Sequence, residues 1–510
     1  MIFVSASREK IRRREERAEG KEKRQVRAQK IHKDRKKTKL LKTIAGAVAI
    51  VLVVLIILFN SSLLYSSLTA IRMGDWKFKN TDFNYEYYSS YYNTYSQIYS
   101  TYGDYSSMLL DTKKPLDEQQ YSEGQTWDDY FEETALNNLQ QMAILYDMGK
   151  KAGFELTDEQ KDVIQTTITS MKRDATDNKY TDFDKYLKSL YKKGMSEKLL
   201  TKLLNTSYYA TYYSQSLIQQ WKDSYTDEQK TEYYNGKRSQ YDLLTYYTYY
   251  VDGSADEEAG IDAETAMANA NNTAQAIAAA ATEESFADLV YQNAPEDQKE
   301  TYSDPDACRR EDVAPSSISN TDWLNWLTDA ERSYGNTKVF PSDTGYYVFM
   351  YVSTNPNEYK LENYRSIVVQ VQANEETGEV TNENIEAAKA TVEEIMSKYN
   401  EDPTEDNFTA LTEEYNAKIT ADSGLHQNVN MSQLSGDVKD YIFSPDRKTG
   451  EVNYIYTDKT FYIFYMLDEG DQYNLSLAEG LMTQDDYKKL IDGASDEYAI
   501  NTTFVFKFAK

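Results

Sequence analysis

Histidine and cysteine, the side chains most used for acid–base and nucleophilic chemistry near neutral pH, are scarce in this chain. Its 510 residues include two histidines, His32 and His426, and one cysteine, Cys308. One cysteine excludes a disulfide framework and any multi-cysteine metal site, and two histidines leave the usual zinc sets and the serine or cysteine triads without material. Cys308 precedes Arg309-Arg310, a setting that lowers a thiol pKa, but no histidine is nearby in sequence, so it reads as an incidental buried or loop cysteine. The acidic pairs Asp128-Asp129 and Asp485-Asp486 have the residue types for carboxylate catalysis or calcium. With 83 Asp and Glu in the chain such pairs arise from composition, and no Asp-x-Asp-x-Asp-Gly loop is present. They read as solvated helix faces. No glycine-rich phosphate loop occurs, so neither cofactor nor metal is expected.

The charge distribution decides where the chain sits. Residues 1–42 hold 17 Lys or Arg against 6 Asp or Glu, a net of +11, while the remainder carries 39 against 77, a net of −38. Between Thr43 and Ala70 there is no charged residue, and Ile44–Phe59 (IAGAVAIVLVVLIILF) is almost wholly apolar. Extended through Tyr65, the segment reaches the roughly 20 residues that a helix needs to cross a bilayer core. A basic flank stays on the cytoplasmic side, so the acidic bulk is expected outside. The long basic stretch ahead of the apolar run, and Leu68 where a cleavage site wants a small residue, favour an uncleaved signal anchor over a signal peptide. The basic tail beside the span suits anionic lipid better than nucleic acid, and the exterior is too acidic for nucleic acid.

Beyond the span the pattern is first helical. Tyr88, Tyr91, Tyr92, Tyr95, Tyr99 and Tyr102 recur at three- and four-residue steps, an aromatic stripe that reads as helix packing and, secondarily, as a grip for unfolded chains. Trp127, Phe131, Leu139, Met142 and Leu145 repeat the period. Thr157–Gln160 and Thr226–Gln229 fit capping boxes that start two helices, and Leu199, Leu200, Leu203 and Leu204 open a long helix ending near Trp221.

At Tyr241 the texture changes. Tyr241–Val251 reads as an aromatic strand, followed by an alanine-rich helix over Asp262–Ala281, a short helix at Phe286–Leu289 and a strand over Gly345–Val352. The order then recurs: strand Tyr364–Val371, helix Asn382–Tyr399, short helix Phe408–Leu411, strand Phe461–Leu467. Trp326-Leu327, Arg332 and Gly335 align with Tyr441-Ile442, Arg447 and Gly450 at a constant offset of 115 residues. Two copies of one α+β module are the simplest account. A tail over Ser476–Lys510 supplies another helix and a final strand, Thr503–Phe508.

A helical region followed by strand, helix, short helix, glycine turn and closing strand, all outside a membrane anchor, resembles the extracytoplasmic parvulin-type peptidyl-prolyl isomerases and chaperones of the SurA/PrsA kind. The resemblance covers most of residues 76–470 and rests on Trp76–Tyr88 (WKFKNTDFNYEYY), Tyr233-Tyr234 before the first strand, Phe-x-x-Leu in each module and Lys448-Thr-Gly-Glu-Val452. It implies an α+β multidomain chain: a basic tail (1–42), a transmembrane signal anchor (43–70), an all-helical domain like the SurA N-terminal one (76–236), two tandem parvulin-like modules (237–357 and 358–470) and a C-terminal helix and strand (471–510).

The same resemblance places catalytic histidines in the first strand and after Gly-Tyr in the last. Here Ser366 stands at the first position and Tyr347 at the second, Tyr462 closes the second module, and Tyr247 falls near the first-strand position of the first. No catalytic residue is therefore assigned; Tyr247, Tyr347, Ser366 and Tyr462 are candidate peptide-binding positions. His426 falls in a loop resembling the family's Gly-Leu turn. Prolyl isomerisation crosses a barrier of about 18–20 kcal/mol, which pocket shape and desolvation can lower without an ionisable group. The sequence thus points to a membrane-anchored chaperone for unfolded or newly exported polypeptides, weak or inactive in isomerisation. The alternatives are an active isomerase and a structural or adhesive envelope protein with one fixed partner.

Overall fold

The computed structural model describes residues 63–255, 260–374, 378–419 and 424–510 and, of the first 62, only 20, 39, 42–44 and 47–50. The expected anchor and basic tail thus lie largely outside the described residues. Among those described, no helix is long and apolar enough to cross a membrane. The chain divides into two compact units, Met1–Gln220 with Tyr487–Lys510, and Trp221–Asp486.

The first unit begins with a hairpin, β1 (Ile71–Met73) and β2 (Trp76–Phe78), turned by Gly74 at φ +54°. Its helices include α1 (Asn80–Tyr102), α2 (Trp127–Ala152), α3 (Asp158–Asp177), α4 (Phe183–Tyr191) and α5 (Glu197–Ser224). Thr157 and Gln160 exchange the hydrogen bonds of a capping box at the start of α3, as their spacing predicts. Asp129, the third residue of α2, closes another with Thr126, which accounts for half of one acidic pair. The tyrosine stripe divides along α1. Tyr88, Tyr91 and Tyr95 pack against the core around Phe83, Phe131 and Leu139, whereas Tyr99 and Tyr102 are exposed.

The C-terminal residues belong to this unit, which the sequence did not foretell. Asn501–Thr502 pairs with β1, Phe506 sets its ring 4.8 Å from Phe83, and Lys510 Nζ reaches Asp128 at 2.8 Å and Glu132 at 2.6 Å. The expected strand Thr503–Phe508 is instead a 3-10 helix over Phe504–Phe508. The Thr503 hydroxyl caps its first turn, and packing overrides the period-two spacing of the phenylalanines: Val505 is buried while Phe504 is exposed.

The second unit contains two four-stranded antiparallel sheets of one design. The first module runs β3 (Leu243–Asp252), α6 (Ala263–Ala280), α7 (Phe286–Asn293), β4 (Arg309–Val313), α8 (Thr321–Leu327), β5 (Thr337–Ser342) and β6 (Gly345–Asn355). The second runs β7 (Glu362–Gln370), α9 (Asn382–Glu401), α10 (Glu405–Ile419), β8 (Gly424–Val429), α11 (Gly436–Ile442), β9 (Val452–Thr457) and β10 (Thr460–Met466). The strand orders are β4-β3-β6-β5 and β8-β7-β10-β9, so each strand keeps its neighbours from one module to the other. The glycine turns match atom for atom. Gly335 N–H donates to Tyr351 O at 2.9 Å and Gly450 N–H to Met466 O at 2.8 Å, with φ of +76° and +79°, where only glycine is unstrained. Helix α12 (Tyr473–Ser495) follows.

Candidate peptide-binding faces

Alternation along a strand sends successive side chains to opposite sides of a sheet, and each module uses both sides. In the second, Ile367, Val369, Phe461 and Ile463 point towards α9 and α10 and pack on Val392, Ile395 and Phe408. Tyr364, Ser366 and Val368 therefore take the other side, with Tyr462, Phe464 and Met466 opposite them on β10. On that side Tyr364, Phe464 and Met466 cluster with Ile442 of α11, and Tyr441, Ile455 and Tyr462 are half-buried around them.

Ser366 and His426 meet on this face. Ser366 Oγ lies 2.9 Å from His426 Nε2, and the imidazole stacks on Tyr364 with ring centroids 4.7 Å apart and planes 23° from parallel. The sequence puts His426 in a loop. It belongs instead to the edge strand β8, where it pairs with Tyr364. The glycine of Gly-Leu-His suggested a turn, and its φ of 155° does favour glycine, but strand pairing begins at that residue, opposite Ser366. No signal short of the β7–β8 register would have brought His426 to Ser366.

In the first module the equivalent face holds Leu244, Tyr246, Phe340, Phe349, Trp326 and Leu327, with Trp323 and Tyr347 against them. Tyr347 packs on Trp323 at 4.6 Å and Tyr250 at 4.8 Å. Tyr247 does not share this face. Its ring lies 5.1 Å from Phe286 in the helix-side core, and that burial raises its phenol pKa. Register explains the difference: Ser366 pairs with Phe464, and Thr248 pairs with Phe349, the residue 115 positions before Phe464. Thr248 is thus the counterpart of Ser366, and a one-residue slip puts Tyr247 on the wrong side of the sheet. Arg310, paired with Tyr246, takes the place of His426. Thr248 Oγ1 is buried with no hydrogen-bond partner.

The faces also differ in how far they are filled. Trp323 and Phe340 of the first module correspond to Val438 and Ile455 of the second at the same 115-residue offset. Ile455 and Tyr462 are only half-buried beside these smaller side chains, and so is His426 on the opposite edge strand. The second face thus carries smaller side chains and a Ser–His pair towards its β8 edge, where the first carries indole and phenyl rings.

Other chemistry-bearing residues have structural partners. The Cys308 thiol is buried in the first module's core, pushed up to about 11 chiefly by that burial. Asp485 and Asp486 accept hydrogen bonds from the Tyr233 and Tyr225 hydroxyls at 2.7 and 2.9 Å. Among the described residues no cluster of His, Cys, Asp or Glu suits a metal ion.

No protein-family model and no curated protein sequence matches the chain. Solved structures do. The chain is similar to the peptidylprolyl isomerase PrsA of Bacillus cereus, at 15% identity over 58% of this chain and 90% of that one, with a TM-score of 0.22. It is also similar to the same protein of Bacillus anthracis (12% identity, 56% and 99%, TM-score 0.19) and to the foldase protein PrsA of Streptococcus pneumoniae (14%, 63% and 97%, TM-score 0.17).

Proposed function

We propose that the chain is a membrane-anchored extracytoplasmic chaperone of the foldase kind, and that its second module is the principal peptide-holding surface. The observation that carries this reading is the Ser366–His426 pair on a face where Val438 and Ile455 replace Trp323 and Phe340. An extended polypeptide offers apolar side chains and backbone N–H and C=O groups together. Tyr462 and Ile455 match the first, and the half-buried His426 imidazole, held by the buried Ser366 hydroxyl, can exchange hydrogen bonds with the second. The first module, with its face filled and Thr248 in place of the serine, serves as a spacer or a weaker second surface. The bound clients are unfolded or newly exported chains, and no cofactor is required.

A second reading, residual prolyl isomerisation in the second module alone, is favoured by the position of His426. An imidazole in hydrogen-bond contact with the residue at the first-strand site returns an ionisable group to a pocket that the sequence leaves without one. The full chain should suppress aggregation of an unfolded client and accelerate cis–trans exchange of a proline peptide little. Strong acceleration that vanishes in His426→Phe makes it an isomerase; no binding to any unfolded chain leaves a scaffold for one fixed partner.

A further inference from the structure

The hairpin that opens the first unit carries a cluster of cations unlike the rest of the exterior. Arg72 on β1 stands directly opposite Lys77 on β2, and both are exposed. Like charges placed opposite each other across a hairpin destabilise it unless an anion lies between them. Lys77 also lines a cleft of about 750 Å³ together with Lys150 and Lys151 from the last turn of α2, Lys202 from α5, and Trp76 and Tyr498. Its acidic members are Asp75, Glu497 and Asp147. Asp147 is taken up by hydrogen bonds from Trp76 Nε1 at 2.9 Å and the Tyr498 hydroxyl at 2.8 Å. Among the described residues none of Arg72, Lys77, Lys150, Lys151 or Lys202 forms an ion pair with a carboxylate, although residues 43–510 carry a net charge of −38.

The place of the cluster in the chain names its anion. Ala70 ends the uncharged stretch of the expected anchor, and Arg72 is the first charged residue beyond it. The expected span reaches its bilayer-crossing length at Tyr65, so at no more than about 3.5 Å per residue Arg72 lies within about 25 Å of the hydrocarbon, within reach of the headgroup layer. We infer that Arg72, Lys77, Lys150, Lys151 and Lys202 form a binding face for the phosphate groups of anionic phospholipids in the outer surface of the membrane, seating the first unit against the bilayer. This rests on the anchor assignment within the proposed function. The ammonium and guanidinium groups would bind phosphodiester oxygens, the half-buried Trp76 suits the headgroup level, and the acidic remainder would be repelled outward.

The test uses the full chain in nanodiscs of phosphatidylcholine alone or with about a third of phosphatidylglycerol, reading amide exchange over 71–78 and 147–152. The expected result is exchange slowed at least about fivefold by phosphatidylglycerol, the weight of one surface cation at such a membrane, and cancelled by the combined change Lys77→Gln, Lys150→Gln, Lys151→Gln and Lys202→Gln. These side chains are exposed, so circular dichroism should show the variant folded. Equal exchange in both discs overturns the inference, as does equal slowing when inorganic phosphate is added to phosphatidylcholine discs. A chain that floats with neither disc overturns the anchor assignment instead. The cleft is then tested with vesicles: binding to those containing phosphatidylglycerol but not to phosphatidylcholine ones sustains it, and binding to neither overturns it.

Discussion

Ser366 Oγ and His426 Nε2 lie 2.9 Å apart on the α11 side of the second module's sheet, whereas Thr248 Oγ1, at the matching point of the first, is buried without a partner. The two sheets share strand order and glycine turns, so the difference lies in the edge strand, which offers histidine in one and Arg310 in the other.

The hydrogen bond predicts a non-additive mutant series. His426→Phe keeps a ring to stack on Tyr364 but strands the buried Ser366 hydroxyl, and should cost about 1–3 kcal/mol of the second unit's stability. Ser366→Ala should cost less, and adding it to His426→Phe should recover part of the loss, because the stranded group is gone. Denaturant unfolding of the four proteins gives the coupling; additive losses would show that the pair is not bonded in solution.

The second module's core holds an ion pair that the first lacks among the described residues. Arg447 binds Glu362, both nearly inaccessible to water, and burial raises the Glu362 pKa against the pull of Arg447. Arg447 also donates through Nε to Ile442 O at 2.6 Å, as Arg332 does to Trp326 O at 2.8 Å in the first module. The counterpart of Glu362 there is Leu244, fully buried and apolar. Arg447→Met should therefore destabilise by about 3–5 kcal/mol by leaving a buried carboxylate alone, and adding Glu362→Leu should restore most of it. Thermal melts of the single and double variants decide this.

How much of this was legible in the sequence depended on whether the signal was local. Thr157 and Thr226 announced their helices because a capping box lies within four residues, and the 115-residue offset exposed the repeat because turn glycines and arginines are sparse landmarks. Strand faces were less secure. Tyr241–Val251 carries its tyrosines in adjacent pairs, Tyr246-Tyr247 and Tyr249-Tyr250, so period-two alternation could not tell Tyr247 from Thr248, and only pairing with Phe349 resolves it. His426 and the C-terminal strand Asn501–Thr502 reach their partners across 60 and about 430 residues, contacts that no local pattern encodes.

Glu86 on α1 gives the first unit a pH dependence of defined sign. Burial pushes its carboxyl up to about 7, against a hydrogen bond from Asn138 and with the charge of Asp82 adding to the rise. A folded-state pKa above the ordinary 4.5 means that the native state holds the proton more tightly. The stabilisation is thus complete below about pH 4.5 and is lost as pH rises through about 7. Unfolding free energy should fall by roughly 1–3 kcal/mol across that window relative to Glu86→Gln, in which the slope should flatten. Denaturation at a series of pH values, with parallel slopes for the two proteins, would contradict the burial of this carboxyl.

Tyr347 and Tyr462 occupy matching positions, yet they should respond differently to removal. Tyr347 is wedged against Trp323 and Tyr250, so Tyr347→Ala should act mainly on the first module's packing, at a cost of about 3–5 kcal/mol if the indole cannot collapse into the space. Among the described residues Tyr462 makes one ring contact, with Phe464 at 6.1 Å, and it is half-buried beside Ile455 and Val368. Tyr462→Ala should leave the fold nearly unchanged and weaken binding of an extended apolar peptide by about 1–3 kcal/mol, the usual cost of truncating an aromatic anchor. Tyr247→Ala, on the helix side of its sheet, should destabilise without any specific effect on binding. Titrating a fluorescent unfolded peptide against the three variants, each checked by melting, separates these outcomes. A binding loss in Tyr347→Ala equal to that in Tyr462→Ala, with both folds intact, would show that the first module holds peptide as well and that its indoles do not close its face.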